Sequence, residues 1–340
     1  VECATIFSAL GWRIDEKRGE VRRTGRHRLH GHDAIIVDEA SMVDQAMYEE
    51  LMEQTENTDT PILWVGDPAQ LPPVKENSSP VFDRVQTQVR LNTIVRQAEG
   101  NPIIQASQYL RDCIEKNRRP RISDITTIEG DGRLSIIRGG ISVMADYLVD
   151  ARSHGLDARA VAFHRRMEDR IGQIAASRFH PPGSPRMVEG DPITMSASYG
   201  KEISNGMEVT VTDRGETLHG YGPLEIDCQR VEVKVDGTHN MHSLIVPQDS
   251  HAHEVALRRV RQTRDRERRR SRELKNTEER TQAGIAADDA GILAQEITDT
   301  YASVRYTYAS TAHKAQGSTY EVAIVHWDDI LSAGNETASR

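Results

Sequence analysis

The chain has 340 residues and a formal net charge of −9, a length that suggests about two domains. Hydrophobic residues make up 37%, enough for real cores and against wholesale disorder, and no run approaches the ~20 apolar residues of a membrane helix. Cys3, Cys113 and Cys228 are too few and too scattered for a disulfide framework or a CxxC pair, and no signal peptide is visible, which together fit a reducing, cytoplasmic setting.

Near the N-terminus, Trp12 to Arg28 is rich in charge. Trp12-Arg13-Ile14 and Glu20-Val21-Arg22 flank Asp15–Gly19 as a small hairpin would, and a plain surface loop fits equally. Ala34–Val37 has the pattern of a buried strand. Val43, Met47, Leu51 and Met52 fall at helical spacing, which predicts a helix over 42–54. Ile62–Val65 is the next strand. Strand, helix, strand implies a parallel sheet with a right-handed crossover. Further on, Ile103, Ser107, Leu110 and Ile114 line one helix face. Ala160–Phe163 is a strand, followed by a helix with Met167, Ile171, Ile174 and Ala175 on one side.

From Asn205 the character changes. Met207–Thr212 alternates, and Val231, Val233 and Val235 alternate up to the hairpin signal Asp236-Gly237, with Leu244–Val246 placed to pair back. This predicts a small all-β insert. Residues 251–282 are charged and helix-prone. Between Arg258 and Arg280 stand ten Arg and one Lys against five acids, a net of +6 that leaves −15 for the rest. Two readings of 258–272 stay open: a solvated helical arm, and an arm that binds a duplex or a partner. Ala302–Tyr308 and Val322–Val325 return to α/β character, and Ser332–Arg340 shows no clear element.

Three polar stretches carry chemistry. Asp38-Glu39-Ala40-Ser41 directly follows a strand. An acidic pair there can hold Mg²⁺ and polarise a water, as phosphoryl transfer requires; acids decorating a helix N-terminus fit as well. Gly66-Asp67-Pro68-Ala69-Gln70-Leu71-Pro72-Pro73-Val74 follows the neighbouring strand. The Gln70 amide can donate to a phosphate oxygen and accept from water, in a loop stiffened by Pro72-Pro73. Ser310-Thr311-Ala312-His313-Lys314-Ala315-Gln316-Gly317-Ser318-Thr319 packs hydroxyls, an imidazole and an ammonium beside a glycine. That set suits a phosphodiester backbone or a nucleotide.

Together these stretches resemble the superfamily-1 DNA helicases, in the 5′→3′ branch of RecD-like and Dda-type enzymes. VDEAS resembles the family's Walker B, GDPAQLPPV its motif III and STAHKAQGST its motif V. Leu91-Asn92-Thr93-Ile94-Val95-Arg96-Gln97 is similar to motif IV, and Thr5-Ile6-Phe7-Ser8-Ala9-Leu10 to motif Ia. Glu189-Gly190-Asp191-Pro192 with Ile203-Ser204-Asn205-Gly206 resembles the approach to an SH3-like 2B insert.

The resemblance implies an α/β fold of two RecA-like P-loop NTPase domains with ATP and Mg²⁺ between them. The expected division is 1–93 for the first domain, 94–204 with 298–340 for the second, and 205–297 for the insert with its Arg-rich arm. It implies that Asp38 ligates the metal, Glu39 orients the attacking water, Gln70 senses the γ-phosphate and Arg96 acts as an arginine finger. Gln316 and Gly317 would also face the nucleotide. Thr5, Phe7, Ser310, Thr311, His313 and Lys314 would contact single-stranded DNA. The hairpin at 12–28 occupies the place of the strand-separating pin. The implied partners are single-stranded and fork DNA, engaged by a monomer, with a single-strand-binding or replication and recombination protein as a further partner. The setting would be a bacterial cell or a phage-infected host, with roles in DNA replication or repair.

The departures are equally specific. Phe7 stands where the family has His, and could stack on a base. His164-Arg165-Arg166 replaces a Thr-Asn-Lys. No G-x-x-x-x-G-K-[S/T] occurs in the 340 residues, and the last motif of the family does not follow motif V. The sequence therefore reads as an interior slice of a helicase, truncated at both ends and by itself nearly inactive. Two alternatives remain: the helicase part of a conjugative relaxase or RecD-type recombination subunit, and, in another class, a non-catalytic DNA-binding scaffold.

Overall fold

The computed structural model describes residues 2–15, 20–23, 28–56, 60–73, 76–91, 101–128, 133–184, 186–200 and 202–337. The chain divides into two compact units, residues 1–13 with 21–138, and residues 14–20 with 139–340.

The chain begins with α1 (Ile6–Ala9), β1 (Trp12–Asp15) and β2 (Glu20–Arg23). β1 and β2 form a two-stranded sheet, so the hairpin alternative holds; its tip lies outside the described residues. β3 (Ile35–Val37), α2 (Gln45–Thr55) and β4 (Ile62–Trp64) form the expected βαβ unit, with Ile35, Ile36 and Val37 parallel to Ile62, Leu63 and Trp64. Asp44 sets the start of α2 later than residue 42, because its carboxylate accepts from the Met47 N–H (2.8 Å), an N-cap worth about 1 kcal/mol. Val43, Leu51, Tyr48, Leu10, Leu29 and Val81 build the core.

The strands are not buried as expected. Ile36 is 69% exposed and Leu63 58% exposed, because the core packs on one face of the two-stranded sheet and the alternating side chains of a strand point to opposite faces. α3 (Val81–Arg84), α4 (Pro102–Glu115) and α5 (Ile122–Thr126) complete the unit. The apolar stripe expected to bury α4 is turned outward at its ends. Pro102, Ala106 and Cys113 are buried, whereas Ile103 and Ile114 are exposed.

The second unit contains α6 (Ile141–Ser153), β5 (Ala158–Ala162), α7 (Arg165–Phe179), β6 (Pro192–Met195), β7 (Glu208–Tyr221), β8 (Ile226–Val235), β9 (Met241–Pro247), α8 (Ser250–Glu273), α9 (Thr277–Thr300), β10 (Val304–Tyr306), β11 (Ala309–Thr311), α10 (Ala312–Ala315), β12 (Val322–Val325) and α11 (Trp327–Thr337). β5 is the centre of a parallel sheet ordered β11-β5-β12. All five of its residues are buried. Its alanines let α6 and α7 lie close, with Leu148, Ile171 and Ala175 fully buried in the same cluster.

A second, antiparallel sheet is ordered β10-β6-β7-β8-β9. Val209, Val211, Val231, Val233 and Leu244 join the core of the parallel sheet. The predicted return pairing is present, with Val231 opposite Leu244 and Gln229 opposite Val246. The sheet begins at Pro192 and recruits Val304–Tyr306, so it extends past the 205–297 expected for the insert. The first compact unit runs to Arg138, and within it α4 meets the loop after β4 through Arg111 and Asp67.

α8 and α9 form a helical hairpin on this sheet. Leu257, Val260 and Leu293 pack against Cys228, Ile245, Ile297 and Tyr301. The Tyr301 hydroxyl donates to the Tyr221 carbonyl (2.5 Å) and accepts from the Leu224 N–H (3.1 Å). Gly222 sits under it at φ +68°, where a Cβ would come within 2.6 Å of that hydroxyl; no other residue fits both demands.

Candidate functional site

In the first unit the site lies at the carboxyl ends of β3 and β4, where ligands bind in open α/β sheets. The Val65 N–H donates to the Val37 carbonyl (2.8 Å), and the Ala40 N–H to the Val65 carbonyl (2.9 Å). These bonds bring the VDEAS and GDPAQ loops side by side. Gly66 is required by that approach, since a Cβ there would stand 2.9 Å from the Ala40 nitrogen.

Glu39 adopts a left-handed backbone, φ 52° and ψ 43°. For a non-glycine residue this costs on the order of 1 kcal/mol, and such strain gathers at functional sites. It makes the loop turn sharply after β3, leaving Asp38 exposed and Glu39 half-buried. Asp38 Oδ1 accepts from the Glu39 N–H (2.8 Å). Among the described residues no protein group pairs with its other oxygen or with the Glu39 carboxylate. An exposed carboxylate with one committed oxygen fits Mg²⁺, which takes one or two carboxylates and completes its shell with water and phosphate. Among the described residues no group of three or more His, Cys, Asp or Glu could hold a metal by itself.

Gln70 is exposed at the tip of the second loop. Asp67 shapes that loop. Its Oδ1 accepts from the Ala69 N–H (3.0 Å) and its carbonyl from the Gln70 N–H (3.0 Å). Arg111 on α4 grips the same carboxylate with both Nη atoms, Nη1 to Oδ1 at 2.8 Å. That bond holds the Asp67 carboxyl below the usual carboxylate range against the opposing cost of burial. Arg111 was not legible as a site residue: nothing in the α4 pattern distinguishes it from any other half-exposed arginine.

Thr5 and Phe7 belong to the same unit. Thr5 caps α1, its Oγ1 accepting from the Ser8 N–H (3.2 Å). The Phe7 ring packs edge-on against Trp12 with centroids 5.2 Å apart. Arg96 lies outside the described residues.

In the second unit the expected DNA residues gather at the carboxyl ends of β5 and β11. Ser310 and Thr311 are buried in the strand end. Thr311 caps α10, accepting from the Lys314 N–H (3.4 Å). The His313 ring lies 5.6 Å from that of Phe163. Gln316 closes α10, its N–H donating to the Ala312 carbonyl (3.1 Å), and Gly317 takes φ +77°.

Three neighbours of this cluster were missed. Asp329 at the start of α11 accepts from the Phe163 N–H (2.7 Å), the His164 N–H (2.9 Å) and His164 Nδ1 (2.8 Å). Burial opposes its ionisation, yet these bonds keep its carboxyl below the ordinary range. Glu168 lies 4.0 Å from Lys314 Nζ. Burial raises the Glu168 carboxyl above its usual range, against the pull of Lys314 and Arg305. Burial likewise lowers the Lys314 ammonium, against the attraction of Glu168. Arg305, buried on β10, meets Asp169 at 2.7 Å, Glu254 at 3.3 Å and Glu168 at 3.6 Å. Sequence separation hid all three, since each pairing depends on how α7, α8, β10 and α11 meet.

No helix among the described residues is long and apolar enough to cross a membrane. No curated protein matches the chain significantly. Among solved structures, the Pif1 helicase from Candida albicans is similar at 14% identity and a TM-score of 0.41, over 88% of this chain and 67% of that one; a likeness that remote carries no argument about fold or function. Residues 1–134 match a family model described as an AAA domain.

Proposed function

We propose that the protein is an ATP-dependent DNA helicase of the 5′→3′ superfamily-1 branch, nearest the Dda type, acting as a cytoplasmic monomer on single-stranded and fork DNA. The observation that carries this reading is the pairing of the VDEAS and GDPAQ loops on adjacent parallel strands, with a strained Glu39 and an open Asp38 carboxylate. The match of residues 1–134 to an AAA domain supports nucleotide hydrolysis at that position.

In this reading Asp38 holds Mg²⁺, Glu39 orients the attacking water, and Gln70 reports the γ-phosphate through a loop braced by Arg111. Arg96 supplies the arginine finger, a contribution worth ~10³–10⁵ in rate. The metal, when bound, neutralises developing phosphate charge. Gln316 and Gly317 are assigned contacts with the nucleotide. Thr5 and Phe7 in the first unit, and Ser310, Thr311, His313 and Lys314 in the second, are each assigned contacts with single-stranded DNA, buried Ser310 and Thr311 by shaping the strand end and His313 and Lys314 by reaching phosphates. The β1–β2 hairpin acts as the pin, and the antiparallel sheet is the SH3-like insert. No G-x-x-x-x-G-K-[S/T] phosphate-binding loop occurs in these 340 residues, and in this reading ATP hydrolysis by the chain alone is expected to be poor.

Direction is tested by streptavidin displacement with the chain extended upstream. Release from the 3′ end of a biotinylated single strand, at least ten-fold faster than from the 5′ end, is expected. Faster release from the 5′ end contradicts the assigned polarity.

A further inference from the structure

The sequence leaves the Arg-rich segment open between a solvated arm and a binding arm. The structure gives that segment two faces. On α8, His253, Leu257, Val260, Arg264 and Ser271 turn inward. The His253 ring meets Tyr301 at 5.4 Å, Leu257 and Val260 enter the core below, and Ser271 Oγ donates to the Arg280 carbonyl on α9 (3.1 Å). Arg264 is buried, and Arg268 reaches Asp288 of α9 at 3.7 Å.

At 100° per residue a second stripe runs along the side of α8, about 110° round from that inward face. Arg258, Arg261, Arg269 and Arg272 fall along this stripe and are exposed. Among the described residues, the side chains of Arg258, Arg261 and Arg269 form no hydrogen bond or ion pair. Two acids share the face, Asp265 and Glu273, and Asp265 is engaged by Arg264 at 2.8 Å. Arg266 and Arg270 lie farther round the helix and meet Glu267 at 3.1 and 3.5 Å. An isolated surface helix would scatter its charge. Here the inner face is committed to α9 and the sheet, so the cationic row is held on a fixed, straight rod.

We propose that this face of α8 binds the sugar-phosphate backbone of double-stranded DNA. Arg258 to Arg272 spans about 21 Å along the helix, the axial length of about six phosphates on one strand of a duplex. α8 contains no Phe, Tyr or Trp. A single-strand platform needs aromatic rings on which bases stack, whereas contact with a stiff duplex needs only cations in a row. The outer face carries no apolar side chain between Arg258 and Glu273, so it has no means of entering a lipid surface. The contacts are sequence-independent, because arginine on phosphate positions a duplex without reading it. This assignment rests on the helicase reading for the reason that a duplex is at hand, but its test needs neither ATP nor translocation.

The test is fluorescence anisotropy with a labelled, blunt 20-base-pair DNA of mixed sequence, without nucleotide, across a salt titration. The full chain is compared with R258Q/R261Q/R269Q and with R258K/R261K/R269K. At about 0.9 per phosphate contact, the Gln variant should flatten the slope of log K against log salt by about two to three. The Lys variant should retain the slope, while affinity for a 20-nucleotide single strand changes less than two-fold in either. An unchanged duplex slope in the Gln variant overturns the proposal. So does an equal loss on the single strand, or a poly-glutamate chain that competes as well as duplex of equal charge, which would assign the face to an acidic protein partner. Circular dichroism confirms that the substitutions, all on exposed residues, leave the helix content intact. A protein that binds duplex as stated yet hydrolyses no ATP in any form would keep this proposal and lose the helicase reading.

Discussion

The molecule holds two parallel sheets that solve the same problem to different degrees. In the second unit β5 is buried along its whole length, with α6 and α7 closed over its alanines. In the first unit β3 and β4 bury one face and leave Ile36 and Leu63 in contact with solvent. The loops that follow differ in the same way. After β3 the backbone is strained at Glu39 and the carboxylates stand open, with the Glu39 N–H on Asp38 Oδ1 their one protein partner among the described residues. After β5 and β11 the polar groups are tied down by caps, by Asp329 and by the Glu168–Lys314–Arg305 network. The first sheet presents chemistry, and the second presents a fixed surface. Apolar strands of similar appearance in sequence therefore need not be equally buried; the helices packed on them decide it.

The largest effect that tests this contrast is on stability. Leu148→Ala, in the closed core, should destabilise by about 2–5 kcal/mol through lost burial and a residual cavity. Ile36→Thr, on the open face, should change stability by no more than about 0.5 kcal/mol. Urea unfolding of both variants makes the comparison, and a large loss for Ile36→Thr would mean that the face is covered.

The next effect is on the bracing of the Gln70 loop. Arg111→Ala removes both contacts with Asp67, which is part-exposed and so contributes little to stability, at most about 1 kcal/mol. The expected consequence is functional: a three- to ten-fold drop in DNA-stimulated hydrolysis by the upstream-extended chain, with single-strand affinity preserved. Equal activity would show that Gln70 is positioned without help from α4.

The smallest effect concerns pH. The folded Glu168 carboxyl titrates above its unfolded value, so the unfolded chain gives up this proton more readily. Its protonation favours the folded state, and that contribution is lost as pH rises through the folded value. As pH falls below neutral, Glu168 becomes neutral earlier than an ordinary glutamate, and Lys314 loses its counter-charge. Arg165, Asp169 and Arg305 are the other charges around it, and of these Asp169, which itself faces Glu254, is also raised by burial. As pH falls from neutral towards the ordinary glutamate range, single-strand binding should strengthen two- to five-fold more at fixed salt than in Glu168→Gln, which should bind tightly throughout. A wild-type profile as flat as that of the variant would remove Glu168 from the site.

Much of the architecture was legible because it is local. The βαβ unit, the Asp236-Gly237 hairpin and the alternation of Val231, Val233 and Val235 each follow from period and turn chemistry. The face of α4 was misjudged because Ile103 and Ile114 satisfy helical spacing yet face solvent, while small Ala106 and Cys113 face the core. Asp38, Glu39 and Gln70 could be named because each follows a strand in a dense polar run. Arg111, Glu168, Arg305 and Asp329 could not, because their meaning arises from contacts across 44 to 166 residues of chain.

The central claim is that the VDEAS and GDPAQ loops drive ATP hydrolysis coupled to single-stranded DNA. The most direct measurement is DNA-stimulated ATP turnover by the chain extended upstream, wild type against Glu39→Gln. The account predicts stimulated turnover that falls at least 10²-fold in the variant, with single-strand affinity within two-fold of wild type. Turnover unaffected by Glu39→Gln would contradict it.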